Sequence, residues 1–150
     1  RYASGEKVES MSTALRVSEA AVLALHTMRL LAGETDHRLT TREIASKLSV
    51  SETHLSKVLQ RLAAHGLVES VRGPKGGFTL AGEPSQITLI DVYEAIDGPF
   101  ANGTCLLGRK TCVADTCMFG GLLETINTLI WQHMERTRLS DLASGNGRTP

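Results

Sequence analysis

The chain has 150 residues, 41% of them hydrophobic and only 4% aromatic, with 16 basic residues balancing 16 acidic ones. That is enough for one core-bearing domain with an arm; no apolar run approaches the ~18 residues that cross a bilayer and no signal-peptide pattern opens the chain, so a cytoplasmic rather than a membrane or secreted protein is expected. Its three cysteines, an odd number, argue against a disulfide framework and for metal ligation, redox chemistry or buried thiols.

Residues 1–11 are polar and patternless and read as a flexible arm or a remnant of preparation. From Ala14 to Leu31, Leu15, Ala21, Val22, Leu25, Met28 and Leu31 recur at helical spacing, which predicts a first long helix stopped near Gly33. Thr40 with Glu43 three residues on has the form of a capping box, and Ile44, Ala45 and Leu48 supply the buried stripe of a short second helix. After a turn at Val50, Ser51 caps a third helix. There Leu55, Val58, Leu59 and Leu62 face inward and Thr53, His54, Ser56, Lys57, Gln60 and Arg61 outward.

Gly66 ends that helix. Leu67 to Val71 and Phe78 to Leu80 read as two strands joined by the tip Gly73-Pro74-Lys75-Gly76-Gly77. Helix, turn, helix and glycine-rich hairpin together are a winged helix-turn-helix, and the partner such a fold addresses is double-stranded DNA. The charge distribution agrees. Residues 36–82 carry seven basic against four acidic side chains, whereas residues 83–118 carry two against five, so a phosphate-facing surface is confined to the winged segment.

Base edges in the major groove are met by the start of the recognition helix, which makes Thr53, His54, Ser56 and Lys57 the reading candidates, with Ser51 at the cap. Arg72 and Lys75 suit phosphate neutralisation or minor-groove insertion, Gly76 lets the backbone approach closely, and Arg42 and Arg61 suit backbone contacts. For any one of these residues an ordinary solvated side chain is an equally good reading; the ordered set points to DNA.

A short helix over Ile87 to Ile96, begun at Thr88, is ended by Asp97-Gly98-Pro99. Residues 100–118 have no period and hold Cys105, Cys112 and Cys117. Leu122, Ile126, Leu129, Ile130, Met134 and Leu139 then mark a final helix of about 20 residues. A helix that long outside the winged core is expected to pack against a second subunit. Three thiolates wrapped around one centre leave a vacancy in an iron–sulphur site, which usually has four protein ligands. Zinc, or three unrelated thiols, are the other readings of this segment.

Val71-Arg72-Gly73-Pro74-Lys75-Gly76-Gly77-Phe78, followed by a three-cysteine loop and a long helix, resembles the Rrf2 family of bacterial regulators over residues 14–142. The resemblance implies a homodimeric winged-helix transcription factor. In its cysteine-bearing members it also implies an iron–sulphur cofactor, here a two-iron, two-sulphur cluster on Cys105, Cys112 and Cys117. It further matches Arg72 to the wing arginine and Thr53 and His54 to the base-reading start of the recognition helix.

Two departures stand out. The cysteine intervals are six and four residues where the family has five and five, and the place of a family histidine ligand after the last cysteine is Gly120. The place of a first-helix aspartate ligand is Val22, and one turn further along lies His26, the leading candidate for a fourth ligand; Glu19, Asp115 and His133 are others. A lone histidine on an apolar helix is also commonly a core or interface residue.

The expected organisation is thus an arm (1–11), a winged helix-turn-helix domain (12–98), a cysteine-bearing sensor loop (99–118), a dimerisation helix (119–143) and a disordered tail (144–150), mainly α in class. No nucleophile–base pair or nucleotide loop is present, so an enzyme is not expected. The expected function is a repressor under iron–sulphur control. A metal-free thiol switch, a repressor controlled by a metabolic enzyme partner and, more remotely, an electron carrier are the alternatives.

Overall fold

The computed structural model describes residues 17–34, 36–100 and 117–143. The expectations placed on the arm, on a helix start at Ala14, on Cys105, Cys112 and Asp115, and on the tail lie outside the described residues. The described chain forms two units: residues 17–100 with 133–143, and residues 117–132.

In the larger unit, α1 (Glu19–Gly33) begins where Ser18 turns extended and its Oγ accepts the Ala21 amide at 3.0 Å, a serine N-cap. Val17 and Ser18 therefore lie outside the helix. The buried stripe is also rotated from the expected one. Ala21, Leu23, Ala24, Thr27, Met28 and Leu31 face the core, while Val22 is 42% exposed and Leu25 half-buried. Thr27 is tolerated inside because its hydroxyl donates to the Leu23 carbonyl at 2.8 Å.

Thr40 and Glu43 form the capping box of α2 (Thr41–Leu48), which ends on Ser49 in the left-handed region at φ 55°. Ser51 caps α3 (Glu52–Ala64), whose Leu55, Val58, Leu59 and Leu62 are almost wholly buried. Then β1 (Val68–Val71) and β2 (Gly77–Leu80) pair antiparallel, Val68 opposite Leu80 and Val71 opposite Gly77. A second capping box, Thr88 with Asp91, starts α4 (Leu89–Asp97), and Gly98 at φ 82° ends it. α1 packs on α3 and α4, and α3 on α2 and β1, so the core lies among the helices with the hairpin projecting from α3.

The last long helix, α5 (Leu122–Arg136), is shorter than its periodicity suggested. Thr137 turns its hydroxyl back to the His133 carbonyl at 2.8 Å, and Arg138 then bridges Thr88. The Leu139 amide donates to the Ile87 carbonyl at 3.0 Å, and the Leu89 amide to the Thr137 carbonyl at 3.0 Å. These bonds draw the chain out of the helix, and Leu139 opens a separate α6 (Leu139–Ala143) with its side chain fully buried and the helix packed on α1.

In the smaller unit, Cys117 leads through a turn with Gly120 at φ 50° into the first part of α5, where Leu123 and Asn127 are buried. Leu122 and Leu129, with half-buried Ile126 between them on the same face, are 51% and 61% exposed. No described helix is long and apolar enough to cross a membrane.

Candidate nucleic-acid interface and cofactor ligands

The turn between α2 and α3 is set by Ser49, whose left-handed backbone lets the Val50 amide reach the Ala45 carbonyl at 3.0 Å. Ser51 is extended, and its Oγ accepts the His54 amide at 3.4 Å. Its hydroxyl is thus used in building the recognition helix. Beyond it, Thr53 and Lys57 are exposed and His54 and Ser56 half-exposed on one side of α3, opposite the buried leucines. The side chains expected to meet base edges therefore share the solvent face.

Arg61 lies near the other end of α3, and its guanidinium donates to the Ile96 carbonyl in the last turn of α4. It thereby ties two helices together, a structural role beside the DNA-backbone contact expected of Arg61. Arg42, Lys57, Arg72 and Lys75 are exposed and form no ion pair among the described residues, so their charge is available to phosphate. Lys47 differs: its ammonium is 3.1 Å from the Glu34 carboxylate.

The wing tip is a tight turn, with the Gly76 amide donating to the Gly73 carbonyl at 2.9 Å. A Cβ on Gly76 would stand 2.3 Å from the Val71 carbonyl oxygen, which only glycine avoids. The hairpin is also held from outside. Leu39 pairs with Phe78 through two backbone hydrogen bonds of 3.1 and 2.8 Å, an isolated bridge on the outer side of β2 that sequence periodicity did not reveal.

Of the cofactor candidates, Cys117 is half-buried and unbonded to another cysteine, directly ahead of the turn into α5. His26 projects from the exposed side of α1 and lines a groove with Val22, Leu48, Val50 and His54. This groove joins the first helix to the helix-turn-helix and the start of the recognition helix. Glu19 lines it too, and His133 is exposed on α5.

The family model for Rrf2, described as an iron-dependent transcriptional regulator, matches residues 17–145. The chain belongs to the Rrf2 family. BadM of Rhodopseudomonas palustris is 38% identical over 78 residues, 52% of this chain and 50% of BadM. The chain thus spans about half the length of that relative. The HTH-type transcriptional regulator IscR of Photorhabdus laumondii is 30% identical over 103 residues, covering 68% of this chain and 62% of IscR. Among solved structures, CymR, the global cysteine regulator of B. subtilis, superposes with a TM-score of 0.74 at 28% identity over 87% of this chain and 98% of CymR.

Rrf2 is a family of helix-turn-helix transcriptional regulators and not of enzymes. The winged helix-turn-helix, the two-stranded wing and the helices beyond it are the Rrf2 fold.

Proposed function

We propose that the protein is a homodimeric repressor acting in the cytoplasm. Its affinity for a double-stranded operator is set by an iron–sulphur cluster, of the two-iron, two-sulphur type, on Cys105, Cys112 and Cys117. The carrying observation is the donor set. Three thiols stand within thirteen residues of a chain whose family is iron-dependent, and the one among the described residues is half-buried and unpaired. Three thiolates fit such a cluster with one ligand still to be supplied.

His26 is the candidate for that ligand. Its imidazole is exposed, and the groove it lines also holds His54 and Val50. Whatever orders His26 therefore adjoins the start of the recognition helix, so ligation and DNA reading share neighbours. When bound, the cluster would supply a centre sensitive to oxidants, nitric oxide or iron supply. The exposed Leu122, Ile126 and Leu129 face of α5 is the proposed contact with the second subunit, an apolar stripe of the kind that helix pairing buries.

DNA affinity before and after reconstitution with iron and sulphide tests the reading. A change in affinity for a selected operator supports it; equal affinity of both forms overturns it.

A second reading has its own observation, the likeness to CymR, a cysteine regulator. There two of the thiols would pass two electrons and two protons to a peroxide-class oxidant and join as a disulfide. That reading predicts DNA binding restored by reductant in protein free of iron. A metabolic enzyme partner is a third form of control, tested by whether such a partner shifts the operator affinity.

A further inference from the structure

The wing is anchored along β2 by Leu39, which bridges Phe78 one residue from the tip-side pair Val71–Gly77. Both hydrogen-bonding groups of this residue are spent on Phe78, and its side chain is 1% exposed, so its backbone and side chain are fixed together. Immediately after it comes the Thr40 capping box, where the Thr40 amide and hydroxyl donate to the Glu43 carboxylate at 2.7 and 2.8 Å. Arg38 stands directly before the bridge. Its Cβ is 3.1 Å from the place a Cβ on Gly77 would occupy, and Gly77 has φ 144°. The Arg38 Cβ therefore lies beside the tip-side end of β2, in space that the glycine leaves open.

Gly77 is paired on its other side with Val71, the residue before Arg72. Arg72 and Arg38 thus flank the tip-side end of the hairpin on opposite sides of β2, their backbones about two strand spacings apart, or roughly 10 Å. Arg38 is exposed, and among the described residues its guanidinium makes no hydrogen bond or ion pair. A wing arginine entering a minor groove about 6 Å wide has a phosphate row on either side of it. A second guanidinium one flank away is placed for one of those rows.

We propose that Arg38 belongs to the DNA interface as a phosphate-contacting residue, outside both the recognition helix and the wing tip, and held there by the Leu39–Phe78 bridge. The inference rests on the winged surface being the DNA-binding face. A phosphate contact carries no sequence information, but each one releases counterions and steepens the salt dependence of binding.

The test uses an operator selected from a random-sequence duplex library and measures affinity against salt for the wild type, Arg38→Gln, Arg38→Lys and Arg72→Gln. Arg38→Gln should weaken binding roughly threefold to tenfold, equally on operator and unrelated DNA. It should also flatten the slope of log affinity against log salt by about 0.9, the value of one phosphate. Arg38→Lys should restore the slope. The slope does not depend on the fraction of active protein, so a modest loss of folding does not mask the result.

If Arg38→Gln keeps the wild-type slope while Arg72→Gln flattens it, the assignment of Arg38 is wrong and the winged interface stands. A loss confined to the operator sequence also overturns the phosphate assignment. If neither variant changes the slope, the winged surface is not the DNA-binding face and both readings fall together.

Discussion

The Asp97 carboxylate accepts two hydrogen bonds from Ser18, 2.9 Å from its amide and 2.5 Å from its hydroxyl, and so fastens the end of α4 to the start of α1. The same hydroxyl accepts the Ala21 amide, so one serine caps its own helix and binds its neighbour. Ser18→Ala removes the cap and the hydroxyl bond to Asp97, and leaves the bond from the Ser18 amide in place. It should cost about 1–2 kcal/mol, typical of a lost N-cap with a charge-assisted partner, and lower the melting temperature by several degrees. Asp97→Asn should cost less, since an amide oxygen still accepts. Thermal melts of the two variants check the order.

Two helix ends meet again where Arg61 donates to the Ile96 carbonyl. Arg61→Ala should therefore lower stability by roughly 1 kcal/mol, the loss of a part-buried charge-assisted bond, whereas Lys57→Ala on the same helix should leave the melt unchanged and weaken DNA binding. Urea titrations beside binding isotherms separate the two effects. Equal melts for both variants would show that the Arg61 contact contributes nothing.

The Glu43 carboxyl is held below the usual carboxylate range, chiefly by the hydrogen bond from the Thr40 amide and then by that from its hydroxyl. A depressed folded-state pKa means stabilisation that is present above the unfolded-state pKa and is lost as pH falls through the folded one. Glu43→Gln should flatten that acidic part of the stability profile without altering the neutral-pH fold. An NMR titration of the Glu43 side chain should give a midpoint lower than that of a free glutamate.

At the wing tip, Gly76→Ala would drive a Cβ to 2.3 Å from the Val71 carbonyl oxygen, a contact the backbone must move to relieve. The wing should be misplaced while the helical core stays packed. DNA affinity should fall by at least tenfold, with a loss of stability on the order of 1–3 kcal/mol. Binding assays and melts on the same preparation measure both. Unchanged affinity would mean that the tip does not touch DNA.

Local signals carried most of this fold. The Thr40–Glu43 pair, the Ser51 cap, the Gly98 stop and the glycine-rich tip each act within a few residues, so the chain states them directly. What could not be read depends on partners far along the chain. The Leu39–Phe78 bridge joins segments whose separation gives no periodic trace, and with it goes the placement of Arg38. Likewise the apolar period through Leu139 continues across α5 and α6, because both bury the same kind of residue. Only the pairing of Thr137 to Leu139 with Ile87 to Leu89 reveals the break.

The candidate site divides in the same way. Thr53, His54, Ser56 and Lys57 share the solvent face that their helical spacing gave. Arg61 carried a charge whose partner was a distant carbonyl, invisible to local pattern. His26 was singled out by position along α1, and the groove it shares with His54 is a tertiary relation between two helices.

The proposed control of this regulator by cysteine-held iron and sulphur is open to a single assay. The most direct measurement is the iron and acid-labile sulphide content of protein purified without oxygen, read together with its visible spectrum. Stoichiometric iron and sulphide with charge-transfer bands are expected, abolished by Cys112→Ala. A colourless, iron-free and fully folded protein that binds its operator would contradict it.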